Sequence, residues 1–181
     1  MSSNEDNHLE RAREYWQGGQ PVEAGRLIHD NLPAEARPAW AATILRLVLD
    51  RSGTDRSHFE RILYTADHPR QWANGHRCFD LLRDETLKCD DLRRRGRLTT
   101  DQEMFASLLS LAELVAKVTY NAVDPPDEFD EDSGWWIAVS LRAFVEMWND
   151  AKFSEAAWSA LCRAGRGVAR TTFGRCCSVG H

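Results

Sequence analysis

The sequence predicts an all-α fold of seven or eight helices packed as antiparallel hairpins, in a short irregular α-solenoid or a bundle. Three observations lead there. Apolar residues recur at helical spacing along most of the chain, and the alternation that marks strands is nearly absent. Glycine and proline stand mainly where the periodic stretches stop and start. The pattern Trp-x6-Glu-Ala occurs twice, as Trp16 to Glu23-Ala24 and as Trp148 to Glu155-Ala156, each time at a join between two helical stretches. A chain of 181 residues with 43% hydrophobic content is long enough to enclose a core. Residues 1–170 are read as a single helical domain and 171–181 as a flexible tail.

Each element has a local reason. The first helix spans about residues 7–17, with Leu9, Ala12, Tyr15 and Trp16 on one stripe, and Gly18-Gly19 ends it. Pro21 sits in the first turn of the second helix, where its missing N–H costs nothing, and that helix stops before Pro33. A third covers about 34–51, with Trp40, Ile44, Leu47 and Val48 at core spacing, and breaks at Ser52-Gly53. The fourth, about 55–66, carries Phe59, Ile62 and Leu63. Pro69 opens a fifth, extending toward Arg95 with an interruption near Asn74-Gly75. Thr100-Asp-Gln-Glu103 reads as a capping box for the sixth helix, which is apolar around much of its circumference and is expected to be the central one. The seventh takes in Trp135, Trp136, Val139, Leu141, Phe144, Val145 and Trp148; Ser154 is the expected cap of the eighth, which runs to about Arg166.

The first elbow, Tyr15-Trp16-Gln-Gly-Gly19-Gln-Pro-Val-Glu23-Ala24, resembles the centre of a tetratricopeptide repeat. In that family an aromatic pair ends one helix, a glycine makes the turn, and a small alanine early in the next helix permits close packing. The resemblance covers about residues 9–33, with a weaker echo over about 140–163. The echo supplies Met147-Trp148, Phe153 and Ala156, but has Ala151 where the family has glycine, and Pro33 comes earlier than the family pattern places it. The middle of the chain does not repeat the motif. What the resemblance implies is stacked helix pairs of the kind that hold protein partners.

Composition narrows the function. A net charge of −5 leaves no surplus of Lys and Arg to face phosphate, so nucleic acid is an unlikely ligand. The basic run Arg93-Arg94-Arg95 with Arg97 reads as a solvated helix terminus. The opening residues show neither a basic region nor an apolar run, so no secretory signal is expected. The most apolar stretches are interrupted by Glu113 and Lys117 and by Arg142 and Glu146, so no membrane span is expected either. Five cysteines follow no disulfide-scaffold spacing, which fits reduced thiols in the cytoplasm.

Tests for chemistry give little. His76-x-Cys78 with Cys89 lacks a paired Cys-x2-Cys or a His-Glu-x2-His helix, so no zinc or other cofactor is expected. Aligning Gly134 with the glycine of an EF-hand loop puts Phe129 and Ser140 at ligand positions, and that motif fails. Phosphate loops, dinucleotide fingerprints and nucleophile elbows are absent, and Cys176-Cys177 has no base at a recognisable spacing. What stands out is an acidic run followed by two indoles: Asp127, Glu128, Asp130, Glu131 and Asp132, then Trp135 and Trp136. Neighbouring helical positions point about 100° apart, so one indole can enter the core while the other stays near the surface. The aromatic would supply desolvated area, and the carboxylates would steer a basic partner. The leading expectation is therefore a non-catalytic protein–protein interaction module, an adaptor or accessory subunit. An acidic immunity or antitoxin-type inhibitor, and a helical-bundle enzyme whose site only folding would assemble, are the alternatives.

Overall fold

In the computed structural model, the described residues are 3–71, 77, 80, 83, 84, 87, 90, 91, 93–124 and 133–171, with side chains described over 7–70, at the seven positions named between 77 and 91, and over 93–124 and 134–163. Among them the chain is helical and contains no strand. The helices are α1 (Ser3–Gln17), α2 (Pro21–Asp30), α3 (Arg37–Ser52), α4 (Glu60–Asp67), α5 (Thr100–Asn121), α6 (Trp136–Trp148) and α7 (Ala151–Thr171). Single 3-10 turns, Ala34–Ala36, Arg56–His58, Pro69–Gln71 and Ser133–Trp135, lead into or follow them. The described positions between 77 and 94 are helical as well, within the stretch expected to form the fifth helix.

The first elbow closes as its glycines require. Gly19 takes φ +74°, Gly19 N–H donates to the Trp16 carbonyl at 3.3 Å, and Gln20 N–H donates to the Tyr15 carbonyl at 2.8 Å. Two carbonyls that the end of α1 leaves without helical donors are thereby satisfied. Pro21 then begins α2, which packs back on α1. At the second elbow Asn149 does the same work with φ 45°, and Asp150 caps α7: its carboxylate accepts from Lys152 N–H at 2.9 Å and Phe153 N–H at 3.3 Å. Ser154 is not the cap, because the turn ends four residues earlier than its position suggests.

Each elbow tryptophan is held by an arginine from elsewhere in the chain. Arg142 of α6 lies 5.5 Å from the Trp16 ring centroid and donates to the Trp16 carbonyl at 3.2 Å. Arg51, in the last turn of α3, lies 5.8 Å from the Trp148 centroid and pairs with Asp150 at 3.2 Å. Trp16 also meets Trp158 of α7, with centroids 6.3 Å apart. The hairpins α1–α2 and α6–α7 are therefore packed on one another, α2 against α6 as well.

The core centres on α3, which contacts α4, α5, α6 and α7 and buries Trp40, Ile44, Leu45, Val48 and Leu49. The long helix α5, expected to be central, packs against α3, α4 and α6 and buries Leu108, Leu109, Leu111, Val115 and Val118. Its apolar circumference is shared among these three neighbours, while α3 has the larger set. The Trp40 indole N–H donates to the Leu161 carbonyl of α7 at 3.0 Å, so a large buried ring keeps its one polar atom satisfied. The cap of α5 is Thr99 rather than Thr100: Thr99 accepts from Gln102 N–H, and the Gln102 side chain accepts from Thr99 N–H. Ala24 is fully buried, but Ala156 is half-buried, and the buried small residue of the second hairpin is Ala157.

Candidate interaction surface

Trp135 and Trp136 stand where the 3-10 turn Ser133–Trp135 passes into α6. Two glycines dock this turn onto α2. A Cβ added at Gly25 would lie 2.7 Å from the Trp135 carbonyl oxygen and 2.8 Å from Ala138 Cβ, closer than side chains tolerate. A Cβ at Gly134 would lie 2.6 Å from His29 Cδ2 and closer still to Nε2. Only glycine at both positions lets the backbone come this near, and an isolated glycine inside a helical pattern is the kind of signal that marks such an approach.

Beneath the turn the space is filled. His29 is 1% exposed, its Nδ1 is 3.2 Å from the Asp30 carboxylate, and its ring centroid is 5.9 Å from that of Trp40. The His29 ring lies against Gly134 and the α2 backbone at Gly25 against the Trp135 carbonyl, so the turn sits directly on α2. Neither ring is fully buried in the core. Trp135 lies half-buried along the flank of α2, with the Arg26 guanidinium 4.7 Å from its ring centroid. Trp136 stacks on Trp135 at 4.4 Å and 27° between planes, and remains 41% exposed. Such a stack is worth about 0.5–1.5 kcal/mol beyond its buried area, and a cation over an exposed ring about 0.5–1 kcal/mol. The pair thus forms a stacked ledge beside α2.

Asp127, Glu128, Asp130, Glu131 and Asp132 lie outside the described residues, as do Trp72, His76, Cys78, Cys89, Cys176 and Cys177. At the start of the acidic stretch, Val123 and Asp124 are exposed. Arg26, Gly25, His29 and Gly134 complete the ledge, and of these only Gly25 carried a sequence signal.

Among the described residues no group of three or more His, Cys, Asp or Glu side chains is placed to hold a metal ion. His68 is exposed, stacked on Tyr64 at 4.3 Å, with Nδ1 2.8 Å from the Tyr64 carbonyl; Cys162 is buried in α7. Of the described helices, none is long and apolar enough to cross a membrane. Two of the four cations of the 93–97 run are paired with carboxylates: Arg93 with Asp90 at 2.6 Å and Glu103 at 2.9 Å, and Arg95 with Asp91 at 2.8 Å. Comparison with known protein families, with curated proteins and with solved structures finds no match to this chain.

Proposed function

We propose that the chain is a non-catalytic interaction module, an adaptor or accessory subunit, that binds a basic protein partner through Trp135 and Trp136 together with the carboxylates of Asp127, Glu128, Asp130, Glu131 and Asp132. One observation carries the reading: a large indole, 41% exposed, is stacked on its neighbour. The area left in water is about 100 Å² for a ring of this size, and covering it would yield roughly 2.5 kcal/mol. Rigid aromatics make binding anchors because little side-chain entropy is lost on contact. The adjoining acidic run favours partners of positive charge and repels others like this chain. The two elbows are read as tetratricopeptide-like in packing, and five cysteines without disulfide-scaffold spacing favour a reducing compartment, the cytoplasm.

Affinity capture from the native host tests this, with wild-type protein and Trp136→Ala as parallel baits. A protein should be retained in stoichiometric amount by the wild type, released by raised salt, and held about tenfold or more weakly by the variant. Equal retention by both baits, or no stoichiometric protein at all, removes the reading.

A further inference from the structure

We draw no further inference here: the strongest candidate, the exposed arc of α6 that runs from Trp136 through Ala143 to Met147, is an apolar face with nothing among the described residues to show what covers it.

Discussion

Gly25→Ala sets two well-measured effects against each other. In the interior of a helix, alanine is favoured over glycine by about 1 kcal/mol, so on an exposed face the substitution would stabilise α2. Here the new Cβ would meet the Trp135 carbonyl oxygen at 2.7 Å and Ala138 Cβ at 2.8 Å, against an ordinary contact of 3.4 Å or more. The shortfall is about 0.6–0.7 Å at both (3.4 less 2.8 and 3.4 less 2.7), and neither neighbour can rotate away, one being backbone and the other the first atom of a helical side chain. The turn or the start of α6 must move. Overpacking of this kind costs about 1–3 kcal/mol, so the net change is a loss of roughly 1 kcal/mol, or a Tm lower by about 2–4 °C. Urea unfolding followed by far-ultraviolet circular dichroism reads it. The double variant with Ala138→Gly separates the terms, since removing one of the two neighbours should return at least about 0.5 kcal/mol as coupling. A Gly25→Ala protein that is more stable than the wild type by about 1 kcal/mol, with no coupling to position 138, would refute the docking of α6 on α2 as described.

Three further outcomes are expected. Ala24→Leu and Ala157→Leu should each cost about 1–3 kcal/mol in chemical denaturation, whereas Ala156→Leu, at a half-buried position, should stay within about 0.5 kcal/mol of wild type. Trp40→Phe should cost about 1–3 kcal/mol, through lost volume and the lost hydrogen bond to Leu161, and hydrogen exchange should show α7 loosened against α3. The Asp150 carboxyl sits below its ordinary pKa because the Phe153 and Lys152 N–H groups bond its charged form. A depressed folded pKa gives stability that is present above the unfolded value, about 4, and is lost as pH falls through the folded one. Asp150→Ala should therefore be less stable than wild type at neutral pH, with the gap narrowing below about pH 4, and Asp150→Asn should keep much of the cap; denaturation at a series of pH values checks both.

What could be read from the sequence was punctuation. Gly18-Gly19 with Pro21, Ser52-Gly53 and the proline-led starts fix where helices stop because those residues act through local backbone geometry. The helical class, the two elbows and the element order followed from them. Local rules with two solutions misplaced details: in Thr99-Thr100-Asp-Gln102-Glu103 both threonines have a partner three residues on, and only the chain's approach to the helix selects Thr99. The same holds for Asp150 against Ser154. The ledge was legible only in part. Its indoles were visible, but their placement depends on His29, Gly25 and Arg26 of α2, which meet the turn through tertiary contact and leave no spacing to read. The exposed arc of α6 was hidden for a related reason: in a helix rich in apolar residues throughout, period alone does not say which face meets a neighbour.

The arginine clamps on Trp16 and Trp148 bear on how this chain must come into being. Arg142 binds the Trp16 carbonyl across 126 residues, Trp40 binds Leu161 across 121, and Arg51 binds Asp150 across 99. Most helical bundles close through near neighbours and fold fast; here the first hairpin receives its last hydrogen bonds only after α6 and α7 exist. On a ribosome, α1 and α2 would wait with the Trp16 face bare until α6 and α7 have emerged. A fragment ending before α6 would keep its helices' propensities yet lack the contacts that hold them in place, and its apolar elbow would be available to other chains. The first and last hairpins are thus expected to depend on each other, and dissecting the chain between α5 and α6 should yield two poorly folded pieces that recover structure when mixed.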